Sequence, residues 1–194
     1  MNEPKQDRRI RRTQKLLKDS LIELMQEKEF KNISVKDITE RADLNRGTFY
    51  LHYNDTYHLL QSVEEEVLSD FQDMISCYSH SFQRDTLLPV LNPVIDYIST
   101  HGTVCQILFN NSASTDFMNR FHRLINQNGQ AIIQTMFPGA DPTISDCFFE
   151  FVTYGLIGLI KQWFDSGKPL PNTQLAELAD RAVMGTAERL LGKH

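Results

Sequence analysis

Residues 34–60 read SVKDITERADLNRGTFYLHYNDTYHLL, and this stretch decides the fold. Ser34 is a preferred helix N-cap, and Asp37 follows three residues later in a capping-box pattern with a shorter acid. The pattern predicts a short helix from Val35 to Ala42. Asp43 and Leu44 then form a predicted tight turn, in which Asp tolerates a left-handed backbone conformation.

A second short helix is predicted directly after this turn. Asn45 is a good N-cap, and the helix is expected to run from Arg46 to Tyr53. A longer helix, from about Tyr57 to beyond Cys77, follows. Two short helices joined by a tight turn and followed by a longer one are typical of a helix-turn-helix motif.

The second short helix divides into an apolar and a polar side. Phe49 and Tyr53 are four residues apart, so they are expected to pack inward on the preceding helix. The remaining faces carry hydrogen-bonding groups, as phosphate and base contacts require: Arg46 with Tyr50, and Thr48 with His52. Gly47 leaves room for the backbone to approach a sugar-phosphate wall.

The stretch from Asn45 to Tyr53, NRGTFYLHY, is similar to the DNA-binding signature of the TetR/AcrR family of transcriptional regulators. The resemblance extends over about 50 residues, from the first helix to Leu60, and implies that the segment binds double-stranded DNA. The residues that it implies in this contact are Lys36, Asn45, Arg46, Gly47, Thr48, Tyr50 and His52.

The same resemblance implies that some of these residues contact phosphates and others contact a base or the DNA backbone. Thr48, Tyr50 and His52 would bind phosphates, Arg46 would contact a base edge (ideally guanine O6 and N7), and Lys36 would touch the DNA backbone. Four positions depart from the family pattern, among them Thr39, where Ala is common, and Tyr53, where Phe is common. Asp43 stands where Gly is usual, and Thr56 stands where many members carry a phosphate-binding Lys, so that contact is in question.

The net charge of −5 is unevenly distributed along the chain. Residues 1–60 hold 12 Lys and Arg against 10 Asp and Glu, whereas the remainder holds 8 against 15. A basic cluster precedes the apolar part of the first helix and consists of Lys5, Arg8, Arg9, Arg11 and Arg12. This asymmetry indicates a DNA-facing end and an acidic body, although a solvated tail would also explain the charge taken alone.

The predicted fold class is all-α. Residues 1–55 are expected to form a three-helix TetR-type helix-turn-helix domain, and residues 56–194 a helical dimerisation and ligand-sensing domain. Helical periodicity predicts a first helix from about Arg8 to Lys28. Later helices are predicted at about 86–100, 102–110, 114–137, 143–166 and 173–192.

Nothing in the sequence indicates a membrane or secreted protein. The most apolar run, Cys147 to Ile160, has about 14 residues, whereas a bilayer span needs about 20, so a buried helix is predicted there. The N-terminus is polar and charged, unlike a signal peptide. Three scattered cysteines without a CxxC pair fit a reducing cytoplasm.

By the family resemblance, the last two long helices of each subunit would form a four-helix bundle in a homodimer. Gly155 and Gly158 would permit close helix approach, and further apolar area comes from Leu156, Leu159, Trp163 and Phe164. These residues would otherwise belong to the core of the monomer. The sequence around Trp163, with Lys161, Asp165 and Gly167, is similar to a subgroup that includes regulators of dihydroxyacetone metabolism.

A ligand pocket for a small apolar or aromatic molecule is predicted among the middle helices. Its candidate residues are Met74, Phe82, Tyr97, Cys105, Phe109, Phe121, Phe148 and Tyr154. The alternative is that this aromatic-rich set is ordinary core. Binding would release the protein, a repressor by the family resemblance, from a pseudo-palindromic operator.

Catalytic motifs are lacking in the sequence, which contains no P-loop, dinucleotide fingerprint or GxSxG elbow. His101 and Cys105 are four residues apart, but no second pair completes a metal site. Neither an enzyme nor a metal or cofactor is therefore predicted. Two alternatives remain: a TetR-like co-regulator that acts through a protein partner without an inducer, and a helical enzyme or lipid carrier.

Overall fold

The computed structural model describes residues 5–79, 86–110 and 115–192, and these ranges contain helices but no strand. The all-α prediction is confirmed. The helices are α1 Lys5–Glu27, α2 Val35–Arg41, α3 Arg46–Tyr50, α4 Thr56–Ser79, α5 Leu88–Thr100, α6 Gly102–Asn110, α7 Thr115–Met136, α8 Pro142–Asp165 and α9 Asn172–Leu191, with a 3₁₀ turn at Phe30–Asn32 after α1.

The described chain divides into two compact units. The first comprises residues 5–67 with Asn110, and the second comprises 68–109 and 115–192. The first unit extends into α4 because Leu59, Leu60 and Val63 on that helix are buried. The functional boundary expected after residue 55 stays a prediction.

Each helix of the first unit contributes one or two apolar side chains to its core. Leu17 and Leu21 on α1, Ile38 on α2, Phe49 on α3 and Leu59 on α4 are all fully buried. On the surface, Arg41 at the end of α2 is bonded to Glu27 on α1 at 2.8 Å. The two short helices are thus held by α1 and by the start of α4.

In the second unit, α5 packs closely against α9. Small side chains on α9, Ala176 and Ala179, are buried with Ile95 of α5 and with Trp163 of α8. The indole N–H of Trp163 donates to the carbonyl of Leu170 at 2.8 Å, so the polar edge of this buried ring is satisfied. A separate cluster joins α8 and the end of α9: Phe148, Phe149, Val183, Ala187 and Leu191.

Two local expectations need correction. The prediction that α3 continues to Tyr53 is wrong, because the helix ends at Tyr50; one further turn is closed by the Tyr53 N–H bonded to the Phe49 carbonyl at 2.9 Å. The apolar run in α8 is not a buried helix either. Its most apolar window has a mean hydropathy of 1.4, but only 11% of it is buried within the chain.

Of the helices described, α8 is the one whose length and composition would suffice to cross a bilayer. Apolar side chains cover more than one side of this helix, while the chain itself packs against only part of it. Residues on the packed side include Phe148, Phe149 and Trp163, and those on the open side include Phe151 and Tyr154. The spacing of apolar residues in the sequence predicts an apolar helix face. It does not predict whether that face is buried by the same chain or by a second one.

Candidate nucleic-acid interface

The capping box at the start of α2 fixes the first half of the motif. The Ser34 hydroxyl oxygen accepts from the Asp37 N–H at 3.2 Å, and the Asp37 carboxylate accepts from the Ser34 N–H at 2.8 Å. Lys28 Nζ lies 3.1 Å from the same carboxylate. The backbone and hydroxyl bonds from Ser34, with the bond from Lys28, lower the pKa of Asp37 to about 2.

The turn between α2 and α3 adopts the left-handed conformation anticipated at Asp43, which has φ 52°. The Leu44 N–H donates to the Thr39 carbonyl at 2.9 Å and closes the turn. Thr39 is buried, and its hydroxyl donates to the Val35 carbonyl at 2.9 Å. The hydroxyl at this position is therefore satisfied inside α2 rather than offered to a ligand.

Helix α3 is held by its inner face. The buried rings of Phe49 and Tyr53 lie 5.9 Å apart, and Tyr53 also contacts the His58 ring at 5.6 Å. At the start of the helix, the Asn45 side chain accepts from the Gly47 N–H at 3.0 Å. With its inner face packed and its first turn capped, α3 presents a defined set of side chains to solvent.

The structure brings five of the seven predicted DNA contacts onto α3 and the residues that follow it. Arg46, Gly47 and Tyr50 are exposed, whereas Thr48 and His52 are half-buried. No ion pair to Arg46 occurs in the described part of the chain, so its guanidinium is available for recognition.

The two other predicted contacts have partners within the chain. Asn45 is exposed, but its amide oxygen caps α3. Lys36, on the surface of α2, lies 3.6 Å from Glu40 in an exposed i,i+4 pair. Such exposed pairs contribute only about 0.3–0.5 kcal/mol, so a phosphate could displace Glu40 at little cost. The DNA role of all seven residues stays a prediction.

One exposed side chain on this surface had no role in the sequence interpretation. Leu51, the C-cap of α3, is 81% exposed, compared with 59% for Tyr50 beside it. Its position four residues after Gly47 was available from the sequence as a signal. An apolar residue does not stand out in a search for hydrogen-bonding groups, and Leu51 was therefore missed.

The basic cluster is part of α1, which begins at Lys5. Arg8, Arg9, Arg11 and Arg12 are all exposed, and the apolar residues of α1 that reach the core begin at Leu17. The first three turns of α1 therefore carry positive charge on a segment that contributes no buried apolar side chain.

Comparison with known families agrees with this geometry. A family model described as the C-terminal region of transcriptional regulators matches residues 85–185, just over half of the chain. A second model, described as bacterial regulatory proteins of the tetR family, matches residues 19–63, which include α2, the turn and α3. The chain belongs to the TetR family of transcriptional regulators.

One curated relative of this TetR-family chain shares a short stretch with it at low identity. It is 24% identical over 100 residues to the uncharacterized HTH-type transcriptional regulator YxbF of Bacillus subtilis, in a match that covers 48% of this chain and 26% of YxbF. The match thus spans about a quarter of the length of that curated relative.

Two solved structures show a similar fold. The SmeT–triclosan complex matches with a TM-score of 0.73 and 18% identity over 90% of each chain; SmeT is described as the repressor of the Stenotrophomonas maltophilia multidrug efflux pump SmeDEF. The dihydroxyacetone kinase operon activator DhaS matches with a TM-score of 0.60 and 17% identity over 92% of this chain and 98% of its own. Such identities show the fold alone, so the dihydroxyacetone subgroup stays a prediction.

The second unit of this TetR-family chain brings part of the predicted ligand set together. Phe121 of α7 contacts Phe109 of α6 and Phe71 of α4, each at 5.2 Å between ring centroids, and Phe71 contacts Tyr97 of α5 at 5.3 Å. Phe117 extends the group, 5.8 Å from Phe109. These five rings are called the aromatic cluster below; Phe71 and Phe117 were not predicted.

The other predicted ligand residues lie around or apart from this cluster. Met74 is half-buried on α4, and burial raises the pKa of the Cys105 thiol on α6 to about 12. Phe148 lies in the separate cluster of α8 and α9. Tyr154 is 63% exposed beside the His122 ring, and Phe82 lies outside the described residues. The ligand role of every one of these residues stays a prediction.

His101 and Cys105 do not form part of a metal cluster in the described ranges. The His101 ring stacks on Tyr97 with centroids 4.2 Å apart, and its Nδ1 lies 3.1 Å from the Tyr97 carbonyl oxygen. Cys105 is buried with its thiol protonated. His101 thus contacts Tyr97 on α5, whereas Cys105 is a buried residue of α6.

Proposed function

We propose that this TetR-family chain is a cytoplasmic, homodimeric DNA-binding repressor that a small ligand releases from its operator. The observation that supports DNA binding most directly is the outward surface of α3. There Arg46 and Tyr50 are exposed next to Gly47, on a helix whose opposite face is anchored by Phe49 and Tyr53. Such a helix can enter the major groove without losing its own packing.

In this proposal the surface side chains of residues 1–55, whether exposed or half-buried, make two kinds of contact. Arg46 binds a guanine edge through its guanidinium, which gives sequence preference. Tyr50, Thr48, His52 and the displaced Lys36 bind phosphates, which fixes the helix in the groove. The arginines at the start of α1 add attraction that depends on salt but not on sequence.

The test uses DNA duplexes selected by the wild-type protein from a random pool. Arg46→Ala should relax preference at one base pair in each half-site by about 1–3 kcal/mol. Tyr50→Ala should weaken binding to all sequences alike. Fluorescence anisotropy in one buffer measures both, with Lys31→Ala as a control that removes a cation paired with Glu29 in the same unit. Unchanged affinity in both test variants would contradict the proposed site.

Homodimerisation is supported by the exposed side of α8. Ile144, Cys147, Phe151, Tyr154 and Gly158 follow one another at intervals of three and four residues, and all five are exposed. This spacing is that of a helix–helix seam. We call these five residues the α8 seam.

The space around the α8 seam is also suited to a partner helix. A depression of about 320 Å³ between α8 and α9 is lined by three residues of the seam, Ile144, Cys147 and Phe151, together with Thr143, Phe148 and Leu190. A Cβ added to Gly155 or Gly158 would meet no atom of the chain within 4 Å, so both positions face open space. A second copy, related by a two-fold axis, would cover this surface and place two α3 helices on a pseudo-palindromic operator.

Ligand sensing is proposed at the aromatic cluster. Its interior is apolar, and a polar group stands at its border: the Tyr97 hydroxyl donates to the Asp70 carboxylate at 2.7 Å. Phe117, Phe71 and Phe121 are buried, so a ligand must separate these rings in order to enter. A small aromatic molecule fits this chemistry, and the structurally similar SmeT has been solved with triclosan.

Release from DNA requires that the ligand bind the DNA-incompetent state more tightly than the DNA-competent one. A ligand that favours the DNA-incompetent state a hundredfold has about 2.7 kcal/mol of coupling, and DNA must weaken ligand binding by the same factor. Thermal-shift screening finds candidates, and titration with and without operator measures the factor. Tyr97→Phe should change ligand affinity, whereas Phe148→Leu, in the separate cluster, should not. A ligand with equal affinity in both titrations is no inducer.

A further inference from the structure

The most exposed large apolar side chain in the described ranges lies on the recognition surface itself. Leu51 is 81% exposed, above Phe151 at 66% on the α8 seam. Exposed leucines are common singly, but this one directly follows Tyr50 at the end of α3. If α3 lies against DNA, the Leu51 side chain must therefore contact the DNA or lie very close to it.

The direction of Leu51 follows from the helix geometry. Its backbone is helical, with φ −72° and ψ −19°, so the 100° rotation per residue of α3 extends to it. Phe49 and Tyr53, the two buried anchors, are each two residues away, which places them on the far side of the helix. Leu51 therefore points directly away from the core of the first unit.

Nothing else in α3 covers the Leu51 side chain. The residue one turn earlier is Gly47, where an added Cβ would meet only the Asn45 side-chain oxygen at 3.7 Å. Thr48 and Tyr50 lie on either side of this position around the helix. The outward surface of α3 thus has an apolar centre between two polar margins.

The major groove offers one apolar feature at base edges, the C5-methyl group of thymine. We propose that Leu51 contacts a thymine methyl group in each half-site and makes the protein prefer thymine there. This inference rests on the proposed DNA binding and adds a specificity contact to it. A helix with only Arg46 and the hydroxyl groups would read donors and acceptors but not that methyl group.

Single thymine-to-deoxyuridine replacements in the selected operator test the contact, because they remove the methyl group and leave every hydrogen-bonding group in place. For wild type, each replacement should weaken binding about fourfold, the value of one buried methyl group, so one replacement in each half-site should weaken it about fifteenfold. Leu51→Ala should bind thymine and deoxyuridine operators equally. Leu51→Met, which keeps an apolar tip, should restore part of the difference.

The controls separate this inference from the function on which it rests. Leu16→Ala, which removes a partly exposed leucine on α1, should retain the full thymine effect. Wild-type protein that binds DNA but shows no thymine effect, or the same effect in Leu51→Ala, overturns the contact and leaves DNA binding intact. If Leu51→Ala binds both operators more weakly than wild type by the same factor, the thymine effect is retained. This result would indicate a sugar contact and would also overturn the proposed methyl contact. Failure of the wild type to select any DNA overturns the proposed function.

Discussion

The two units of the chain differ in how their apolar surface is covered. In the first, short helices are secured by a capping box, a closed turn and buried anchors, and the exposed surface of α3 is largely polar around Leu51. In the second, α5 and α9 are well packed, but α8 presents Phe151 and Tyr154 to solvent. The first unit covers most of its own apolar side chains, whereas the second leaves one side of α8 uncovered, and this is the side that the proposed dimer would bury.

This difference separates two kinds of functional surface. A surface for nucleic acid must stay hydrated and charged when it is free, because it exchanges water and counterions for phosphates. A surface for a permanent subunit can be apolar, because it is hardly ever free. In the proposed function, the charge asymmetry along the sequence serves the DNA surface, and the exposed α8 seam serves the subunit surface.

The largest expected effect comes from placing a charge on the α8 seam. Phe151→Asp should raise the dimer dissociation constant at least about a hundredfold, because it removes an aromatic contact from both subunits and buries two like charges. Sedimentation of the 22.4 kDa chain measures this change.

Gln127→Asp is the matched control, since it adds the same charge at an exposed site on α7. The control should sediment as wild type does. A Phe151→Asp variant that stays dimeric would show that the second unit uses another surface, and the comparison between the units would then lose its basis.

A medium effect is expected at the capping box of the first unit. Asp37→Asn should lower the free energy of unfolding by about 0.5–2 kcal/mol at neutral pH, in the range of other cap losses. The pKa of Asp37 is lowered from 3.8 to about 2, so its stabilising contribution is present above pH 3.8 and disappears as the pH falls through about 2.

Denaturant unfolding of wild type and Asp37→Asn between pH 5 and pH 2 measures this contribution. The difference between the two proteins should be constant above about pH 4.5 and should shrink toward pH 2. Asp19→Asn, in an exposed pair with Lys15, serves as the control for a surface carboxylate. A difference that stays constant down to pH 2 would contradict the assignment.

The smallest effect concerns backbone strain at one residue in each unit. Asp43 and Lys168 are the non-glycine residues with positive φ in the described ranges, at 52° and 57°. Asp43→Gly should stabilise the protein by up to about 1 kcal/mol, because glycine adopts this conformation without a Cβ penalty.

Lys168→Gly should give no such gain. Lys168 Nζ donates to the Ser99 carbonyl at 3.0 Å and lies 4.9 Å from the Phe164 ring centroid, and these contacts are lost with the side chain. Thermal unfolding of both variants makes the comparison. Equal gains would show that the Lys168 contacts contribute nothing to stability.

The sequence was most informative where local chemistry determines structure. Ser34, Asp37, Asp43 and Asn45 act through hydrogen bonds and backbone preferences within four residues, so the capping box, the turn and the α3 cap could be predicted. The bounds of α6 were predicted to the residue, because the helix-breaking residues His101-Gly102 and Asn110 lie at its two ends. The family signature then gave the candidate DNA contacts.

Long-range burial could not be obtained in the same way. Phe148 and Tyr154 have the composition of a pocket, but the first packs against α9 and the second faces solvent. Which of several aromatic residues meet depends on how α4, α5, α6 and α7 pack, and periodicity leaves that undetermined. For the same reason α8 was expected to be buried by its own chain.

The three cysteines give this molecule an internal set of chemical probes. Cys105 is buried with its pKa raised to about 12, so we expect that a thiol reagent near neutral pH will not modify it in the folded protein. Cys77 and Cys147 are both exposed, and Cys147 lies on the α8 seam. In a dimer the Cys147 thiol should react slowly while Cys77 keeps its rate, so the ratio of the two labelling rates would report subunit exchange without any engineered tag.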